Sequence, residues 1–138
     1  LVGFHFFNPV AVMPLIEIVK TPTTADTALS TAFVVAKNLG KNAVLTADAP
    51  GFVVNRLLAK VMGEAARAVY EGTPIADVEK AFAPLGLPMG PFQLIDLVGW
   101  KVAAHVQDTM VRAFPDRFYA NENFHALAEL DQGHRISL

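Results

Sequence analysis

Cysteine is absent from the 138 residues, which excludes a disulfide framework, a thiolate nucleophile and a zinc–thiolate site. That absence is compatible with a cytoplasmic location, which is the expectation. Charge is sparse as well: Lys and Arg total 11 against 13 Asp and Glu, with no basic run. A nucleic-acid footprint or a polybasic membrane patch needs such a run, so neither is expected. Long hydrophobic runs are also missing. The most apolar window, Leu94 to Val106, is interrupted by Asp96, Lys101 and His105, whereas a membrane-spanning helix needs about 20 predominantly apolar residues. No charged segment or cleavage site accompanies the apolar start at Leu1, so a signal peptide is not expected. The start reads instead as a boundary within something longer. Internal repeats and low-complexity segments are lacking, and no G-x-G-x-x-G follows a strand anywhere.

What is present is apolar. Hydrophobic residues make up 53% of the chain, enough for a real core and too much for a disordered state. Leu1 to Phe7 is β-branched or aromatic and reads as a buried strand, broken by Asn8-Pro9. Leu15 to Lys20 reads as a second strand. From Ala25 the apolar period becomes helical (Ala25, Ala28, Leu29, Ala32, Phe33, Ala36, Leu39), with Thr24 as N-cap and Gly40 at the end. Lys41 to Ala47 is a short β-like stretch closed by Pro50-Gly51. A strongly amphipathic helix follows from Val54 and stops at Gly72. The next begins with Thr73 as N-cap and Pro74 at its first position, and runs to about Leu85. After the Leu87 to Pro91 connector, where Met89 reads as packing, helix resumes to Ala113, with Gly99 a kink or break. A last helix is expected over Asn121 to Gln132. The composition shift falls near Thr21. The expected division is therefore residues 1–20, the last two strands of one domain, and 21–138, an all-helical second domain.

Two ionisable residues lie inside the apolar strands. By two-residue alternation His5 shares a face with Gly3 and Phe7, and Glu17 with Leu15 and Val19. A carboxylate buried without a partner would cost several kcal/mol, so Glu17 needs water or a partner, and His5 is the nearest candidate. A Glu that accepts from one imidazole nitrogen fixes the tautomer and leaves the other as a base. The pattern equally admits a satisfied core histidine and a Glu17 facing solvent at a sheet edge. Asn55 lines up with Ala59, Met62 and Ala66, a strip of small or flexible residues beside the charged face of its helix. It reads either as a site residue or as a first-turn Asn satisfied by local backbone. Asn8 is open to the ordinary reading of an Asn-Pro turn. His105, His125 and His134 show no metal-type spacing with acidic residues beyond His105 and Asp108, so no metal is assigned.

HFFNPV at His5 to Val10, Met13, Glu17-Ile18, PGFVVNRLL at Pro50 to Leu58 and PMGPFQLIDLVG at Pro88 to Gly99 together resemble the 3-hydroxyacyl-CoA dehydrogenase family. The resemblance runs from Gly3 to about Phe118. FPDR at Phe114 to Arg117 is similar to the large multifunctional fatty-acid oxidation enzymes. The resemblance implies a mainly α chain: the helical C-terminal domain of such a dehydrogenase, preceded by the last two strands of a Rossmann-like NAD domain. It implies oxidation of the C3 hydroxyl of a 3-hydroxyacyl-CoA, with NAD as hydride acceptor. His5 matches the catalytic base and Glu17 its carboxylate partner. Asn55 matches the active-site asparagine, and Asn8 a substrate-side position near the histidine. NAD would be bound mainly by a domain before Leu1, leaving the isolated chain inactive or nearly so. The implied partners are the acyl-CoA substrate and a second copy in a homo-oligomer. If the parent is multifunctional, an upstream hydratase domain and a thiolase partner join them.

Trp100-Lys101 departs from the family pattern, which has a small apolar residue followed by Asp there, and puts in doubt whatever contact that Asp makes. Two rival readings stand beside the dehydrogenase. One is a non-catalytic dimerisation or scaffold module of the same fold; the other is a related dehydrogenase of a hydroxy acid without CoA.

Overall fold

A computed structural model describes residues 1–120 and 122–130. The expected last helix is described over Glu122–Leu130; its ends at Asn121 and Gln132, and His134, lie outside the described residues. The chain divides into two compact units, Leu1–Val54 and Asn55–Leu138.

In the first unit, the aromatic and β-branched runs form β1 (Gly3–Phe6) and β2 (Leu15–Lys20). The helical-period segment forms α1 (Asp26–Asn38), and NAVLTA forms β3 (Asn42–Ala47). The sheet order is β1-β2-β3, with β1 antiparallel and β3 parallel to β2. A parallel pair requires a crossover between its strands, and α1 supplies it. Ile16, Ile18, Ala32 and Ala36 form the buried centre of this unit, with Phe4, Phe6, Leu29, Phe33 and Ala43 packed against it. Ile16 and Ile18 are fully buried, which stabilises the unit by about 1.5–3 kcal/mol each relative to exposure.

These contacts correct the division expected at residue 20. Composition changes at Thr21, but α1 and β3 complete the hydrophobic face of β1 and β2, so the first unit extends to Val54. Three strands rather than two precede the helical unit. Thr24 is not the N-cap: Ala25 holds that position without a side-chain hydrogen bond. The Thr24 hydroxyl donates to the Leu1 carbonyl (2.6 Å) and accepts from the Thr21 N–H (3.0 Å). Between β1 and β2 the Asn8–Pro9 peptide is cis. The Lys41 ammonium holds this loop by donating to the carbonyls of Val10 (2.6 Å) and Met13 (2.7 Å).

α2 (Val54–Tyr70) opens at the last residue of the first unit. The second unit continues with α3 (Ile75–Phe82), a 3-10 turn at Ala83–Leu85, α4 (Pro91–Val98), α5 (Trp100–Ala113) and α6 (Glu122–Leu130). Thr73 and Pro74 are displaced by one position from expectation, with Pro74 serving as the N-cap of α3. Gly99, at φ +99°, is a full break between α4 and α5. Ala65, Ala66, Val78, Phe92, Ile95, Trp100, Ala104, Phe124 and Ala128 make one core, and Ala59, Met110 and Phe118 a smaller one. α3 is tied to α4 by Glu79, whose Oε1 accepts the N–H groups of Phe92 (2.7 Å) and Gln93 (3.3 Å). This supplies partners to orphan donors at a helix start. Gly90 leaves room for it, because a Cβ at that position would overlap the Glu79 carboxylate. Trp100 fills the core between Phe92 and Phe124 and donates from Nε1 to Asp96 (2.8 Å). The sequence departure at Trp100 is thus a core residue of this unit.

Candidate active site

The register of the antiparallel pair decides the site. His5 lies directly opposite Glu17, one residue removed on each strand from Phe4, Phe6, Ile16 and Ile18. Alternation therefore sends the apolar residues to the α1 side and both ionisable residues to the other. His5 Nδ1 and Glu17 Oε2 are 2.8 Å apart, and the Glu17 side chain is 1% exposed against 29% for His5. The carboxylate's other oxygen, Oε1, accepts from the backbone N–H groups of Val53 (2.9 Å) and Val54 (3.0 Å). Three polar partners thus converge on a buried carboxyl and occupy both of its oxygens.

If Glu17 accepts, Nδ1 carries a proton, and in the neutral ring Nε2 is then the acceptor nitrogen. The ring is flanked by Phe7 (centroids 4.9 Å, edge-on) and Phe52 (5.1 Å, tilted). Phe52 has φ +42°, unlike any other non-glycine among the described residues. Such a site can take a proton at Nε2 and hold the resulting imidazolium beside a fixed negative charge.

The structure brings His5 and Glu17 together. Asn8 is exposed in the loop that leaves β1. Asn55 is exposed on the first turn of α2 and belongs to the second unit. The residues that sequence reasoning missed are Phe52 and the N–H groups of Val53 and Val54. The available signal was Pro50-Gly51 just before a helix, where backbone donors without helical acceptors must find partners. His105 and Asp108 do not pair; Asp108 accepts instead from His125 Nε2 at 2.9 Å, joining α5 to α6. Among the described residues no three His, Asp or Glu side chains are grouped to hold a metal ion, and no helix is long and apolar enough to cross a membrane.

The 3-hydroxyacyl-CoA dehydrogenase NAD binding domain model matches residues 1–49, and the C-terminal domain model of the same family matches residues 51–136. The two matches meet at residue 50, a few residues before the compact units divide at Val54. A fatty acid oxidation complex subunit alpha from Idiomarina loihiensis is 43% identical over 131 residues, covering 95% of this chain and 18% of that protein. The Pseudomonas putida protein of the same name is 39% identical over 135 residues, covering 98% and 19%. The chain therefore spans about a fifth of the length of these curated relatives. Among solved structures, Mycobacterium tuberculosis FadB2 superimposes with a TM-score of 0.87 at 38% identity, covering 95% of this chain and 47% of that one. The 3-hydroxybutyryl-CoA dehydrogenase of Escherichia coli does so with a TM-score of 0.85 at 34% identity, covering 93% and 28%. Matched along nearly its whole length by the two domain models in order, the chain belongs to the 3-hydroxyacyl-CoA dehydrogenase family.

Proposed function

We propose that this chain carries the acid–base half of an NAD-dependent oxidation of (3S)-3-hydroxyacyl-CoA to 3-oxoacyl-CoA in fatty-acid β-oxidation. The observation that carries this reading is the 2.8 Å contact between His5 Nδ1 and a Glu17 whose second oxygen is already occupied by two N–H groups. Nε2 accepts the C3 hydroxyl proton while the C3 hydrogen departs as hydride, leaving the ketone. Glu17 keeps the ring in the receptive tautomer and balances the imidazolium, a contribution of about 10²–10⁴-fold for a positioned general base. Asn8 and Asn55 are assigned to substrate, their amides suited to orienting a hydroxyl or a thioester carbonyl.

NAD supplies the hydride acceptor when bound. The β2-to-α1 turn of this chain is not suited to its pyrophosphate. The strand-to-helix turn from β2 to α1 reads Thr21-Pro22-Thr23-Thr24-Ala25 and has no glycine to admit a phosphate against the backbone. We assign the pyrophosphate cradle to residues outside these 138. The names and lengths of the relatives support a longer parent within a fatty acid oxidation complex, and to that parent we assign a hydratase domain upstream and a thiolase partner. Exposed Leu97, Val98 and Val102 at the α4–α5 junction support a homo-oligomer.

The test is His5→Gln in a protein that joins this chain to its NAD-binding half. kcat on a 3-hydroxyacyl-CoA should fall by about 10²–10⁴-fold with NAD affinity unchanged. An unchanged kcat overturns the base assignment, and equal turnover of the free hydroxy acid overturns the CoA substrate.

A further inference from the structure

Phe52 is conformationally out of place. Its φ of +42° follows Gly51 at +69°, so two consecutive residues reverse the backbone hand. Glycine or asparagine suits such a position, and a bulky aromatic does not. Immediately after the reversal, the N–H groups of Val53 and Val54 converge on one oxygen of Glu17. Such successive N–H groups form an anion-holding concavity. The ring of the same residue packs on the imidazole of His5, as does that of Phe7 just past the end of β1. One residue thus touches both members of the pair, Glu17 through the backbone that follows it and His5 through its side chain. A strained conformation retained at such a place points to a function for the ring.

We propose that Phe52 is a positioning residue that sets the tautomer and orientation of His5. The reversed backbone delivers two N–H groups to Glu17 Oε1, which leaves Oε2 committed to His5 Nδ1. The ring closes one side of the imidazole against water and against rotation, so that Nε2 is the nitrogen left to meet a hydroxyl. Glu17 on β2 is the charged group in contact with this imidazole. The inference rests on the acid–base reading of His5 and Glu17 for its consequence in turnover, but not for its effect on the imidazole.

Phe52→Gly separates the two parts, since glycine keeps the reversed backbone and removes the ring. In nitrogen-15 NMR of the full chain, wild-type His5 should show a protonated Nδ1 and a bare Nε2. Phe52→Gly should free the imidazole to turn away from Glu17, so that part of the population leaves the Nδ1–H form for the Nε2–H form that free imidazole favours, while Phe52→Tyr, which retains a ring, should keep the wild-type pattern. Phe52→Ala serves as the second variant should the glycine protein not fold. In the protein with its NAD-binding half, loss of the ring should lower kcat about tenfold with KM for NAD unchanged, as expected for a misoriented base. A folded Gly or Ala variant that retains the wild-type tautomer overturns the proposal. If the tautomer shifts as stated but His5→Gln leaves kcat intact, the acid–base reading falls and the positioning role of Phe52 stands.

Discussion

Replacing Glu17 by Gln changes one heavy atom in a fully buried side chain that has three polar partners. The glutamine amide has one acceptor end and one donor end. If its oxygen faces Val53 and Val54, the NH2 group meets His5 Nδ1 and donates to it. The imidazole must then protonate Nε2, the nitrogen needed as a base. If the amide turns over, His5 keeps its tautomer but two N–H groups face an NH2 group. Leaving a buried donor unsatisfied costs about 1–3 kcal/mol each, so the first arrangement wins by roughly 2–6 kcal/mol. Hydrogen bonds to a charged acceptor contribute about 1.5–3 kcal/mol against 0.5–1.5 kcal/mol for neutral ones. Over the three partners stability should therefore fall by about 3–4.5 kcal/mol, whereas turnover should fall by about 10²–10⁴-fold. Urea denaturation of the chain measures the first quantity and steady-state kinetics of the protein with its NAD-binding half the second. Turnover within a factor of about three of wild type, less than one kcal/mol in barrier, would refute the tautomer argument even if the stability change agreed.

Two further outcomes concern the helical unit. Gly90→Ala places a methyl where the Glu79 carboxylate sits and removes its bond to the Phe92 N–H. Overpacking and the lost charge-assisted bond should together cost about 2–4 kcal/mol by chemical denaturation. Because Glu79→Ala loses the same bond, the double variant should be clearly less destabilised than the sum of the singles; additivity would show that the two side chains do not compete for one space. Burial, with the neighbouring Glu64 carboxylate adding to it, pushes the Tyr119 phenol above its ordinary value of 10.0. A group raised on folding contributes stability that is full below the unfolded value and is lost as pH rises through the folded one. The chain should lose stability in alkaline solution above pH 10.0, and Tyr119→Phe should flatten that decline in a pH series of thermal melts. An unchanged slope would assign the loss to other groups.

The legible parts of this protein are those carried by period and punctuation. Alternation in GFHF and LIEIVK puts His5 on one face of its strand and Glu17 on one face of the other, and a carboxylate in an apolar strand demands a partner. The helical segments announce themselves through Gly72, Gly99 and the apolar stripes between the breaks. The domain division was misplaced because composition is a local signal. Residues 21–47 are a helix and a strand in either reading, and only their packing on Ile16 and Ile18 assigns them to the first unit. Thr24 failed as a cap for a similar reason, since its hydroxyl is committed to Leu1, 23 residues away.

By itself the sequence determined which residues alternate, where helices stop, and that one imidazole and one acid share strands with little else to ionise. Tertiary structure alone decided that His5 stands opposite Glu17, that Val53 and Val54 occupy the second carboxylate oxygen, and that Phe52 and Phe7 flank the ring. It also decided that Glu79 sits in the space left by Gly90. The physical reason is that period and capping act over a few residues along the chain. The lone pairs of a buried carboxylate are satisfied by whichever donors the fold carries to them, and here those donors come from 36 and 37 residues away.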